Sequence, residues 1–191
     1  MAKKILILCN DFPPINSIGA DRPYSWYLYF KEYGLYPVII TKNWKTDGND
    51  SIPLIYDYTS YEVTELGEII RVKNINTPSI IFQKKFGNKF KIIRKFFSFI
   101  EIIFGYFLPW FDKHNSIYKE AVKYLEKNKV DVILTTGEPF ILFQYGQKLK
   151  KHFGINWIAD YRDGWYLNHI RTYNKDILNN FIKNYNPPPC H

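Results

Sequence analysis

One stretch, residues 130–165, constrains this chain more than any other: VDVILTTGEPFILFQYGQKLKKHFGINWIADYRDGW. An apolar run over 130–134 breaks at Thr135-Thr136-Gly137, the pattern of a buried strand entering a turn. Pro139 follows at a position suited to the first residue of a helix, where its missing N–H costs nothing. Ile141, Leu142, Tyr145 and Leu149 then recur at helical spacing, and Gly154 stops the helix. Lys148, Lys150, Lys151 and His152 crowd its negative end. A second apolar strand over 155–159 runs into Asp160, Tyr161, Arg162, Asp163 and Trp165. Strand, helix and strand in so short a span form a βαβ unit with parallel strands. Ligands of open α/β sheets bind outside the carboxyl ends of the strands, so residues 135–138 and 160–165 mark the candidate site.

The rest of the chain repeats this alternation. Residues 4–9 read as a first, central strand, followed by a long loop, Asn10 to Gly19. A helix is expected over 20–33, capped by Asp21, with Pro23 in its first turn, Tyr24, Tyr27 and Leu28 on one face, and Gly34 at its end. A second strand covers 36–41. Residues 42–67 are rich in Asn, Asp, Gly, Ser and Thr and read as loop with a short helical turn; 68–72 is a third strand. A helix over 112–128, carrying Ile117, Ala121, Val122 and Leu125, leads back to residue 130. A short helix is expected over 175–185, and the Pro-rich tail 186–191 cannot continue it. The fold class is α/β, a Rossmann-like open parallel sheet flanked by helices, in one domain over 1–185.

Residues 83–111 interrupt the pattern. Lys84, Lys85, Lys89, Lys91, Arg94 and Lys95 come with no acid among them, and 96–111 is almost wholly apolar. These six cations account for most of the net charge of +8. A dispersed basic surface for nucleic acid is therefore not expected. The apolar part is about sixteen residues, roughly 24 Å as a helix, short of the roughly 30 Å hydrocarbon core. It either lies on a membrane, with the six cations at anionic headgroups, or packs into the domain. The N-terminus has about five consecutive apolar residues, short of the seven or more of a signal peptide. Cys9 and Cys190 are the two cysteines, at opposite ends, which suggests no disulfide framework, no metal-binding spacing and a cytoplasmic setting.

Three places resemble the N-terminal half of retaining GT-B glycosyltransferases, the family that includes sugar transferases of polysaccharide and lipid-linked glycan assembly. The first is Asp11-Phe12-Pro13-Pro14 with Ser17-Ile18-Gly19-Ala20-Asp21-Arg22-Pro23. The second is Asp131 to Phe140, and the third is Asp160-Tyr161-Arg162-Asp163-Gly164-Trp165. Their order and spacing fit across nearly the whole chain. The sequence departs from the pattern in having Ile18 where many relatives have the first of two glycines, and an Asp-rich group where some carry a histidine.

The resemblance implies an acceptor-side domain. A second Rossmann-like domain, absent from these 191 residues, would hold the nucleotide diphosphate sugar. The full enzyme would move that sugar to a hydroxyl of a glycan or lipid-linked acceptor, with no metal or other cofactor required, in the cytoplasm at the inner face of the membrane. Asp163 and Asp160 are the candidate catalytic carboxylates, to bind the acceptor hydroxyl or stabilise oxocarbenium-like charge; the alternative is an ion-pair network with Arg162. Gly19 would let backbone approach a ligand or simply serve a turn, and Arg22 would meet a diphosphate or lie in solvent. Thr136 would contact the acceptor or close its turn. Glu138 would bind the acceptor or offset a helix dipole. Trp165 would offer a flat face to a sugar or lipid, or join the core. Histidines 114, 152 and 169 read as surface or helix-end residues. The competing class is a nucleic-acid or nucleotide-binding Rossmann-type module without catalysis.

Overall fold

The computed structural model describes residues 2–45, 54–73 and 112–161, together with residues 86, 93, 95, 96 and 99. In chain order the elements are β1 (Lys3–Leu8), α1 (Ile18–Tyr29) running into a 3-10 turn (Phe30–Tyr33), β2 (Leu35–Lys42), β3 (Trp44–Lys45) and β4 (Leu54–Ile55). They continue with β5 (Ser60–Val63), β6 (Glu68–Val72), a helix we label α2 (Asn115–Leu125), β7 (Val132–Thr136), α3 (Ile141–Phe153) and β8 (Asn156–Asp160).

Six strands make one sheet in the order β5-β6-β2-β1-β7-β8. All neighbours are parallel except the edge pair β5–β6. The fold is Rossmann-like α/β, as the sequence pattern implies. β1 and β2 are continuous apolar runs because each is covered on both faces. On one face Leu6, Leu8, Val38, Ile40 and Ile133 pack against Ile117, Ala121 and Leu125 of α2 and Leu142, Tyr145 and Leu149 of α3. On the other, Ile7, Cys9, Ile39 and Leu134 pack with Phe12 and with Tyr27 of α1. Burying each such Leu or Ile side chain contributes roughly 1.5–3 kcal/mol.

Several local expectations shift. α1 is capped by Ser17, whose Oγ accepts from the Ala20 N–H at 3.2 Å; Asp21 lies inside its first turn. α1 also starts two residues earlier than expected; its buried stripe is Ala20, Pro23 and Tyr27, while Tyr24 lies at the stripe's margin, exposed and edge-on to Phe12. Residues 42–67 are not loop throughout: Ser60–Val63 pairs with β6, and Trp44–Lys45 forms a small hairpin with Leu54–Ile55. β5 escaped the sequence reading because it is an exposed edge, with Tyr61 57% and Val63 74% exposed, so it lacks a buried apolar face. β7 and β8 each run one or two residues further than expected, which puts Thr135, Thr136 and Asp160 inside strands. Gly34 and Gly154 end their helices with left-handed backbone, at φ 70° and φ 68°, as expected.

Among the described residues no helix is long and apolar enough to cross a membrane. Of the segment 83–111, Lys95 is helical and exposed, as are Phe86, Ile93, Phe96 and Phe99. Lys84, Lys85, Lys89, Lys91 and Arg94 lie outside the described residues, as do 162–191, with the expected 175–185 helix, the tail, His169 and Cys190.

Candidate functional site

The strand order reverses direction at β1: β2 and β6 lie on one side of it, β7 and β8 on the other. The crevice outside the carboxyl ends of β1 and β7 is the topological switch point where open α/β sheets bind ligands. Three chain segments converge there: the loop after β1, the turn after β7 and the end of β8.

The loop after β1 is closed by its own side chains. Ser17 Oγ donates to Asp11 Oδ2 at 2.8 Å, and Asn10 Nδ2 donates to Asp11 Oδ1 at 2.6 Å. Thus one serine both caps α1 and ties the loop to its start. Phe12 is buried under the loop, edge-on to the rings of Tyr24 and Tyr27. Gly19 lies in the first turn of α1, where backbone N–H groups are unpaired within the helix.

Arg22, one turn into α1, reaches across to the end of β8. Its Nη1 donates to Asp160 Oδ1 at 2.6 Å, joining residues 138 apart in sequence. The arginine side chain is 45% exposed, so solvent screening limits this ion pair to about 1 kcal/mol or less. Its value is positional, because it fixes one oxygen of Asp160 and leaves the other. Asp160 Oδ2 is buried with no hydrogen-bond partner among the described residues. Thr136 Oγ1 is buried and equally unpartnered. Thr136 is the register partner of Asp160 on β7, so the two orphaned oxygens come from adjacent strand ends. Buried polar atoms normally find partners, and leaving one unmet costs ~1–3 kcal/mol. A pair of them at a switch point is the chemical signature of the site: an acceptor oxygen beside a hydroxyl.

The turn after β7 shapes the rim. Gly137 N–H donates to the Asp160 carbonyl at 3.0 Å, carrying the sheet ladder one residue past β7. Glu138 is exposed with φ 63°, a left-handed conformation uncommon outside glycine and found where the fold over-determines the backbone. It precedes α3 by three residues, and Pro139 by two, so neither opens that helix; Phe140 is the N-cap, without a side-chain cap bond. Phe140, Phe143 and Tyr161 pack beside the turn with tilted rings, the last two with ring centres 4.4 Å apart. An open groove of about 490 Å³ runs from Trp26 and Phe30 along Leu134 and Ile158 to Asp160 and Tyr161.

The structure thus brings together Gly19, Arg22, Thr136, Glu138 and Asp160 at one end of the sheet. Asp163, Arg162 and Trp165 lie outside the described residues. The ion-pair partner of Asp160 is Arg22, a pairing between distant segments that no local pattern signals. Among the described residues no group of three or more His, Cys, Asp or Glu side chains is arranged to hold a metal ion.

A polar cluster on the α2 face was not anticipated. Lys42 is 2% exposed; its Nζ donates to the Lys113 carbonyl at 2.6 Å and to Ser116 Oγ at 3.0 Å. Burial pulls its pKa from 10.5 to about 8, with Asp112 offsetting part of the effect. Burial drives Asp112 up, but hydrogen bonds from His114 and Tyr145 outweigh it and leave the carboxyl below its usual value. His114 is a helix-end residue, the N-cap of α2, but a buried one: it is 7% exposed, and burial lowers its pKa against the pull of Asp112. The signal for Lys42 was present, since it continues the alternation of Val38 and Ile40 toward the α2 face. Cys9 is buried, and burial raises its thiol to about 12, so it is a packing residue and not a nucleophile.

Compared with models of known protein families and with curated proteins, the chain matches none.

Proposed function

We propose that this domain is the acceptor-binding half of a glycosyltransferase that moves a sugar from a nucleotide diphosphate sugar to a hydroxyl of a glycan or lipid-linked acceptor. The observation that carries the reading is the adjacent orphaned pair, Thr136 Oγ1 and Asp160 Oδ2, at the switch point. Both oxygens are shielded from solvent in the free protein, so access to them must open on binding; an acceptor hydroxyl donating to Asp160 Oδ2 then satisfies that oxygen. A neighbouring hydroxyl of the same sugar satisfies Thr136, whose own hydroxyl can donate or accept. Arg22 holds the carboxylate in place through its other oxygen, so the hydroxyl is oriented without reorganisation at the moment of reaction. Of the three patterns that resemble GT-B enzymes, the described parts after β1, after β7 and at the end of β8 lie at this one end of the sheet. Asp163, three residues past Asp160, is the carboxylate that the sequence pattern favours and remains a candidate on those grounds. A donor-binding domain would close over the crevice and exclude water.

The enzyme expressed from its complete reading frame tests this through release of nucleoside diphosphate from nucleotide sugars in the presence of acceptor. Asp160→Asn keeps the shape and, through Oδ1, the Arg22 contact, but puts an NH2 donor where the acceptor oxygen Oδ2 stood. It should lower turnover about 10²-fold or more, the scale of a lost positioning group, with little change in melting temperature. Undiminished turnover in the folded variant would remove Asp160 from the site.

A further inference from the structure

A second concave surface lies beside the switch point, outside the carboxyl ends of β2 and β6. It is a groove of about 370 Å³ lined by Pro13, Pro14, Asn43, Trp44, Tyr56 and Arg71. We propose that this groove is a subsite for a remote sugar ring of the acceptor, so that the acceptor is an oligosaccharide chain and not a single sugar. The inference rests on the acceptor-binding reading above and specifies the ligand that reading leaves open.

The groove is built, not incidental. Trp44 is anchored by its indole N–H, which donates to the Asn10 carbonyl at 2.8 Å, so the ring's edge is fixed to the same loop that frames the main site. Tyr56 is fixed through its backbone N–H, which donates to the Asn43 carbonyl at 2.8 Å. Asn43 in turn donates from Nδ2 to the Tyr58 carbonyl at 2.9 Å and from its backbone to Val72. Tyr56 packs against Tyr58 with ring centres 5.1 Å apart, and Lys45 Nζ sits 5.9 Å over the Tyr56 ring. Arg71 is steadied by Glu62 at 2.5 Å. The result is a shelf of two aromatic rings and two prolines with a guanidinium at its edge.

That chemistry suits a pyranose ring. Its axial C–H face packs on an aromatic face, and its equatorial hydroxyls meet planar donors such as Arg71. The shelf also continues the main site. From β8 to β2 is three strand spacings, roughly 14 Å, and the Pro13-Pro14 loop after β1 spans the interval. A chain of a few linked sugar rings bridges Asp160 and the shelf; one sugar does not.

The test is binding of the protein to an array of immobilised glycans from monosaccharides to hexasaccharides, with uridine and adenosine 5′-monophosphate measured in parallel. Wild type should bind its preferred chains of three or more units about tenfold more tightly than the matching single sugar, the scale of one aromatic contact. Tyr56→Ala should lose that advantage and keep the binding of the single sugar; Trp44→Ala should do the same, provided circular dichroism shows it folded. If both folded variants bind long chains as wild type does, the shelf is not a subsite while the acceptor reading stands. If Tyr56→Ala loses nucleotide binding and not glycan binding, the shelf belongs to a base. If wild type binds no glycan of any length, the shelf and the acceptor reading fall together.

Discussion

Replacing Lys42 by Met removes a buried charge while keeping most of the side chain's volume, and its effect on stability should depend on pH in a calculable way. The folded protein releases the Lys42 proton near pH 8, whereas the unfolded chain holds it to 10.5. Between those values the unfolded state binds more protons, so the unfolding free energy rises with pH, by ~1.4 kcal/mol per unit. Across the whole window this amounts to ~3 kcal/mol; below pH 8 the cost of burying the ammonium is present in full. The Met variant escapes that cost but leaves the Lys113 carbonyl and Ser116 hydroxyl without their donor, at ~1–3 kcal/mol each at most. The sign at pH 7.5 is therefore a close balance, but the difference between the two proteins is not. Wild type minus Lys42→Met should rise by ~2 kcal/mol from pH 8 to pH 9.5. Taking the difference cancels groups common to both, and stopping at 9.5 avoids tyrosines such as Tyr124, which burial raises to about 12. Urea unfolding followed by circular dichroism at four pH values measures it. A difference that stays flat over this range would show that Lys42 does not titrate there and would refute the depressed pKa.

Two further outcomes follow from packing and from charge. Gly146→Ala places a methyl group into the Trp157 indole, whose N–H donates to Thr135 Oγ1 at 2.8 Å; overpacking there should destabilise by ~1–3 kcal/mol, and an unchanged melting temperature would contradict the close α3–β8 contact. If residues 83–111 lie on a membrane, changing Lys84, Lys85, Lys89, Lys91, Arg94 and Lys95 to Gln should abolish sedimentation with anionic vesicles; equal pelleting with anionic and neutral vesicles, or no effect of the six changes, would exclude docking and leave a packed segment.

The sequence showed the sheet where burial is two-sided. β2, β6 and β7 are apolar runs because the fold covers them on both faces, and Gly34 and Gly154 mark helix ends because only their backbones turn left-handed at no cost. It concealed β5, whose residues are half in solvent, and it displaced the start of α1. Ser17 and Asp21 are both good caps by type; the tie from Ser17 to Asp11 decides between them, and that contact exists only in the folded loop. The site was legible as a place, since strand ends and turns locate it. Its chemistry was not, because Arg22 and Asp160 are paired by topology across 138 residues and Thr136 meets Asp160 through strand register. Lys42 could have been found from the alternation of β2, yet a lysine at a strand end ordinarily reads as a solvated residue.

The most direct test of the acceptor assignment is initial-rate kinetics of the complete enzyme with donor and acceptor varied separately, comparing wild type with Thr136→Val. Valine keeps the shape of Thr136 and deletes a buried hydroxyl that has no partner among the described residues, so the folded protein should be no less stable. The account predicts a KM for acceptor raised about tenfold, the worth of one hydrogen bond to a ligand hydroxyl, with the KM for the nucleotide sugar unchanged. A raised KM for the nucleotide sugar with an unchanged KM for the acceptor would contradict it and assign this end of the sheet to the donor.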